Sequence, residues 1–192
     1  LCATPLPANH LPVVAVPTTA GTGSEVTSIS VFADAEGMKV WAWGPELKPC
    51  LAILDPELNV SLPPDVTAAT GLDAIVHAVE AATNKQRHAG NDLYCHKAIG
   101  LIAENLATAV EKPANMEARG AMLLASCYGG IGIDNCGTAL AHNISHAVAN
   151  LAAIPHRRAT GLAMLATMEW VMEGNRPAFA AVARAMGADD PV

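Results

Sequence analysis

Along the first 59 residues, apolar positions come in short runs broken by Gly, Pro and charge: LPVVAV (11–16), VTSISVFAD (26–34), MKVWAW (38–43) and CLAILD (50–55). Runs of this length, rich in β-branched and aromatic residues and bounded by turn formers, predict strands. After SLPPDV (61–66) the period becomes helical. TGLDAIVHAVEAAT (70–83) puts Leu72, Ile75, Val76 and Val79 on one helix face and Asp73, His77 and Glu80, at i, i+4 and i+7, on another. A second helix is predicted over 91–110 with Asn91 as its N-cap, and a third over 115–130, capped by Asn115 and stopped by Gly129 and Gly130. TALAHNISHAVAN (138–150), ATGLAMLATMEWVM (159–172) and RPAFAAVARAMG (176–187) complete the helical part, the last with Pro177 near its start and Gly187 at its end. No internal repeat or low-complexity tract occurs. The change of period divides the chain near Asn59 into a strand-rich piece, 1–59, and a helical piece, 60–192.

Composition narrows the class. With 192 residues, 52% of them hydrophobic, the chain can bury a proper core. A net charge of −7, with 11 Lys and Arg that never cluster, gives no basic surface for nucleic acid or anionic lipid. No run of about 18 uncharged apolar residues could span a bilayer, and the start lacks a basic region followed by an apolar core. A soluble, cytoplasmic protein without nucleic-acid or membrane partners is expected. The five cysteines, Cys2, Cys50, Cys95, Cys127 and Cys136, are odd in number and widely spaced, without a CxxC pair, and are expected to be reduced structural thiols.

Two stretches carry chemistry. PTTAGTGSEVT (17–27) is a Gly- and Thr-rich turn directly after a predicted strand, where close backbone approach, N–H groups and hydroxyls can bind phosphate oxygens. It is neither a GxGxxG fingerprint nor a P-loop, and its composition fits an ordinary strand connection equally well. The helical piece holds the stronger constellation. Asp73 and His77, one turn apart, can reach a common ion; His142 on a later helix and His156 beyond Pro155 bring the donors to one carboxylate and three imidazoles, a set that holds a divalent ion with a position open. A single histidine on an apolar helix is more often a hydrogen-bonded core residue. His142 and His146 are themselves i, i+4 and could chelate together, and spacing leaves that choice open.

PTTAGTGSEVT, GLDAIVHAVEA and LAHNISHAVANLAAIPH, in this order, with AILDPEL and SLPPDVTAATG between the first two, resemble the iron-containing (group III) alcohol dehydrogenase family, related to glycerol dehydrogenase and dehydroquinate synthase. The resemblance implies a dehydroquinate synthase-like architecture: an α/β nucleotide-binding piece plus an all-α metal domain enclosing a cleft, mainly helical in this chain. It places the metal ligands on Asp73, His77, His142 and His156. It makes His146 the catalytic group, a proton relay beside the nicotinamide, and assigns nucleotide contacts to Thr18, Thr19, Thr22 and Ser24, with Lys39 and Leu54 as further ones. For Lys39 a solvated surface role, and for Leu54 a core role, stand beside these. Glu80 is expected behind the ligands, orienting a metal-bound histidine or packing the helix. The implied cofactors are Fe²⁺, with Zn²⁺ compatible with the same donors, and NAD or NADP. The implied reaction interconverts an alcohol with an aldehyde or ketone by hydride transfer, on a small-molecule substrate, in a homo-oligomer.

Two departures from the family pattern bear on this. Family members are about twice as long, so the chain is expected to be a central fragment, without the early half of the nucleotide domain, its GGGS-type phosphate loop and later helices. The family follows its last ligand with Gly, whereas here the run is PHRR. Arg157 would block substrate, repel the ion or bind an anionic group. The last option favours an alternative, a maleylacetate-reductase-like or dehydroquinate-synthase-like enzyme acting on an acid. A non-catalytic metal-binding or oligomerisation fragment is the other alternative.

Overall fold

The computed structural model describes residues 6, 10–35, 39–149, 151–152 and 154–189. Cys2 and the side chain of Lys39 lie outside the described residues. Among the described residues, four strands come first, β1 (Val14–Ala15), β2 (Ile29–Ala33), β3 (Lys39–Trp43) and β4 (Leu51–Ala52), and six α-helices follow, α1 (Pro64–Thr83), α2 (Ala89–Glu111), α3 (Met116–Cys136), α4 (Leu140–Ala149), α5 (His156–Gly174) and α6 (Arg176–Ala185). β1 pairs in parallel with β4, Val14 opposite Leu51, while β2 and β3 form an antiparallel hairpin running from Ile29–Trp43 to Ala33–Lys39. The apolar runs 11–16 and 50–55 therefore yield only two paired residues each, and Val14, Leu51 and Ile53 are exposed.

The core lies where α1, α2 and α3 pack, with Ile99, Ile102, Met122 and Leu123 fully buried. Helix α1 sorts its residues into three stripes. Ala74, Ala78, Ala81 and Ala82 are small enough for α2 and α3 to approach closely. Leu72, Ile75, Val76 and Val79 face an apolar cavity of about 400 Å³ towards α5 and α6. Asp73, His77 and Glu80, also buried, form the third stripe. Among the described residues no helix is long and apolar enough to cross a membrane. Cys50, Cys95, Cys127 and Cys136 are free thiols, and burial pushes Cys95 up to about 12 and Cys127 up to about 11, so both are inert.

Two helix boundaries differ from the sequence reading. Asn91 does not cap α2; His88 does, its Nδ1 accepting from the Asn91 N–H, while the buried Asn91 amide donates to the Gly132 carbonyl. Asn115 does cap α3, through the Ala118 N–H. Gly129 and Gly130, however, do not stop that helix, which runs on to Cys136 and ends at Gly137 with φ 73°. At Gly130 and Gly132 the task is close approach. A Cβ on Gly130 would lie 2.4 Å from the Gly23 carbonyl oxygen, and one on Gly132 2.7 Å from Cys95 Sγ. The loop 17–27 is thus seated backbone-to-backbone on α3, with Gly23 itself at φ 62°. Gly130→Ala should destabilise the fold by ~1–3 kcal/mol, because the overpacking outweighs the ~1 kcal/mol that Ala gains in a helix. An unchanged urea-unfolding midpoint would show that the loop is not held there.

Candidate functional site

The third stripe of α1 meets α4. Glu80 accepts from the backbone N–H groups of Ala139 (2.8 Å) and Ala141 (2.6 Å), tying down the first turn of α4 and fixing its rotation. The same carboxylate takes the Nδ1–H of His142 at 2.6 Å. Burial pushes the Glu80 carboxyl up, but the bond and charge of His142 and the two amides outweigh it, and the net shift is downward, so Glu80 is an anion. Its role is the one expected, behind a histidine.

The rotation of α4 brings His142 to Asp73 and His77, and donor atoms of these three lie within 4.8 Å of one another. All three are at least 95% buried. His142 Nε2 and Asp73 Oδ1 are 3.9 Å apart, and neither has a hydrogen-bond partner. Buried polar atoms are rarely left so, and two that face each other fit a shared ligand. Donors bonded at ~2.1 Å to one tetrahedral ion lie ~3.4 Å apart, close to what is seen. His77 stacks on His142 at 4.4 Å and donates Nδ1–H to the Gly21 carbonyl at 3.2 Å, leaving Nε2 as its lone-pair nitrogen. Burial, then the neighbouring His142, lower its pKa to about 4 against the pull of Asp73, Gly21 and Glu80, so the ring is neutral near pH 7 and able to coordinate.

His156 is not drawn into that cluster. It opens α5, its ring centroid 5.7 Å from that of His142 and stacked on His146 at 4.8 Å. Its Nδ1 lies 3.1 Å from Ser145 Oγ, whose own proton can go to the His142 carbonyl, also at 3.1 Å. All three histidines therefore have Nδ1 on an acceptor: a carbonyl, a carboxylate and a hydroxyl. His146, one turn after His142, is only half-buried and turns to a different surround, edge-on to Trp41 at 5.2 Å. His142 and His146 share a face of α4, and the one-turn displacement along the helix, with the rings 6.3 Å apart, separates two histidines that spacing could not.

On the other side of His77, the loop 17–27 exposes Thr18, Thr22 and Ser24 and half-buries Thr19. The Thr22 hydroxyl is bonded to that of Ser24. Leu54 is half-buried two residues beyond β4. Asp134 of α3 holds this piece to the helices, accepting from the Ser28 N–H (2.7 Å) and hydroxyl (2.6 Å) and from Lys48 Nζ (2.6 Å).

Residues 67–191 match the profile described as Fe-containing alcohol dehydrogenase family, C-terminal, and residues 2–56 that of iron-containing alcohol dehydrogenase. The chain belongs to the iron-containing alcohol dehydrogenase family. Within that family it is similar to 1-propanol dehydrogenase PduQ of Salmonella typhimurium, 40% identical over 177 residues, 91% of this chain and 48% of that protein. Its fold superposes on a crystal structure of 1,3-propanediol oxidoreductase with TM-score 0.91 at 36% identity, covering 95% of this chain and 48% of that one. It superposes on sulfoacetaldehyde reductase from Bifidobacterium kashiwanohense in complex with NAD⁺ with TM-score 0.89 at 36% identity, covering 98% and 50%. The chain spans about half the length of the curated relatives it matches.

In this member of the iron-containing alcohol dehydrogenase family, Arg157 lines a cavity with Pro155, Arg158 and the early α1 residues Asp65, Val66, Ala68, Ala69 and Leu72. None of the convergent donors is in its wall. Sequence reading missed Trp41, Ser145, the Gly21 carbonyl and Asp134. Only Ser145, three residues after His142, carried a local signal, a hydroxyl one turn from a histidine in an apolar helix.

Proposed function

We propose that the protein is a metal-dependent, NAD(P)-linked oxidoreductase that interconverts small alcohols with aldehydes or ketones by hydride transfer. Residues 1–59 belong to its nucleotide-binding domain and 60–192 to its helical metal-binding domain. The observation that carries the reading is the facing pair of buried atoms without hydrogen bonds, Asp73 Oδ1 and His142 Nε2, beside a neutral His77. Asp73, His77 and His142, which the fold brings together, are three ligands, and His156, with its ring 5.7 Å from that of His142, closes in as the fourth when the ion binds; the mixed carboxylate and imidazole set suits Fe²⁺, with Zn²⁺ its competitor. When bound, the ion supplies Lewis acidity to an alcohol or carbonyl oxygen, and a nicotinamide supplies the hydride acceptor or donor.

The chain's own residues do the rest. Glu80, Gly21 and Ser145 hold the three histidines in the Nδ1–H tautomer. Thr18, Thr19, Thr22 and Ser24 present hydroxyls and amides to nucleotide phosphate, with Lys39 and Leu54 as further contacts. His146, beside Trp41 and His156, takes the proton lost on alcohol oxidation and passes it to solvent. The names of the relatives, which include a 1-propanol dehydrogenase and a reductase solved with NAD⁺, support a small alcohol or aldehyde and NAD. An acidic substrate, the alternative reading, has less support, because the relatives are mainly alcohol and propanediol dehydrogenases and Arg157, next to His156 in the chain, lines a cavity between α1 and α5. Oxidation of NADH and NADPH, followed with small aldehydes and with keto acids, with and without added Fe²⁺ or Zn²⁺, tests the assignment. Metal-stimulated turnover of aldehydes is expected. Turnover indifferent to metal and chelator would sink it.

A further inference from the structure

The bond between His77 and Gly21 joins the two parts of the site through one peptide unit. Gly21 is buried against α1, and a Cβ there would stand 2.9 Å from Thr70 Cβ and 3.0 Å from the Thr70 carbonyl oxygen. Thr70 is itself buried, with its hydroxyl tied back to the Val66 carbonyl at 2.9 Å, so it cannot yield. The absence of a side chain at Gly21 is what lets its carbonyl reach His77 Nδ1 at 3.2 Å. That carbonyl and the N–H of Thr22 belong to the same planar trans peptide and point in opposite directions. Fixing the oxygen on His77 therefore fixes the Thr22 N–H, facing away from α1, beside the exposed hydroxyls of Thr22 and Ser24.

The two ends of this unit respond with the same sign. A cation on His77 Nε2 withdraws charge from the ring and strengthens Nδ1–H as a donor, which holds the peptide plane. An anion at the Thr22 N–H polarises the same peptide and makes its oxygen a better acceptor for His77. We propose that the Gly21–Thr22 peptide couples metal to nucleotide phosphate, so that each binds more tightly when the other is present. This rests on the metal and nucleotide reading above. Gly21 and Thr22 act as positioning residues for an ion they do not touch, and the coupling is reciprocal.

The test uses Zn²⁺ as the metal probe and NADH as the nucleotide. In the unmutated protein, competition with a chromogenic chelator should give a Zn²⁺ affinity about five- to a hundredfold tighter with NADH than without. Gly21→Ala, whose Cβ must lift the loop off Thr70, should weaken Zn²⁺ binding by about ten- to a hundredfold without NADH, the range for losing a partner behind a ligand. Lys97→Ala, at an exposed position of α2, should not change Zn²⁺ affinity with or without NADH. Hydrogen exchange gives a readout without mutation: Zn²⁺ should slow exchange of the amides at 21–24, and it decides the matter if Gly21→Ala does not fold. Failure of the unmutated protein to bind Zn²⁺ would overturn the metal reading itself. Failure to bind NADH, followed by its fluorescence, would overturn the nucleotide reading; with both ligands bound, equal Zn²⁺ affinity in Gly21→Ala, no effect of Zn²⁺ on loop exchange or no response of Zn²⁺ affinity to NADH would overturn the coupling alone.

Discussion

His142→Ala and Asp73→Ala should each strip the protein of its metal, lowering affinity on the order of a hundredfold or more. The estimate follows from sharing the ~10–16 kcal/mol of a four-ligand site among its donors, which gives ~3 kcal/mol each. Two features make these positions the most sensitive. Both side chains are 2% exposed, so water cannot step in freely as a substitute ligand. Their donor atoms also face each other, at 3.9 Å. In His142→Ala the Glu80 carboxylate loses its imidazole but keeps the amides of Ala139 and Ala141, so α4 should stay seated and the loss should be one of metal rather than fold. Metal content after gel filtration, with a circular dichroism melt of the same sample, separates these. Full metal occupancy in His142→Ala would remove it from the ligand set. Asp73→Asn keeps the shape while deleting the charge, and should bind metal more weakly than the parent but better than Asp73→Ala.

How far this site could be read from sequence depends on the range of the contact that builds each part. The stripe Asp73, His77, Glu80 was legible because helix geometry alone aligns i, i+4 and i+7. Glu80 could be placed behind a histidine, yet which histidine stayed open, since His142 and His146 have equal claims by spacing. The choice is made by the hold of Glu80 on Ala139 and Ala141, contacts across about sixty residues that no local pattern encodes. The same limit explains Gly129 and Gly130. Locally they read as a helix stop, and only the approach of Gly23 shows that Gly130 is there for closeness. Asn91 reads as a cap by residue type, but His88 reaches the amide first and Asn91 is spent on α3. The strand runs 11–16 and 50–55 were right in kind and too long, because pairing length is set by the partner strand and the apolar run does not reveal it. Trp41 and Asp134 gave no signal, being ordinary strand and helix residues until the two pieces are packed together.

His146→Ala should retain the metal and lose turnover, the reverse of the pattern at His142. His146 is one turn from His142 on the same helix, so any general damage to α4 would reach both, and the contrast between the two variants removes that ambiguity. Its ring lies 6.3 Å from the His142 ring, stacks on His156 and meets the edge of Trp41, outside the group of donors around Asp73. A residue in that place can move a proton without holding the ion. Loss of a positioned general acid or base costs about 10²- to 10⁴-fold, and kcat should fall within that range, with the NADH dissociation constant changed far less. The kcat–pH profile should lose the limb belonging to an imidazole, and small imidazole-like bases in the assay should restore part of the rate to His146→Ala. Replacement by Gln, which keeps a polar group of similar reach but cannot titrate near neutral pH, should be as slow as Ala. Metal loss in His146→Ala equal to that in His142→Ala would make it a ligand. A full kcat with an unaltered pH profile would leave the relay without its residue.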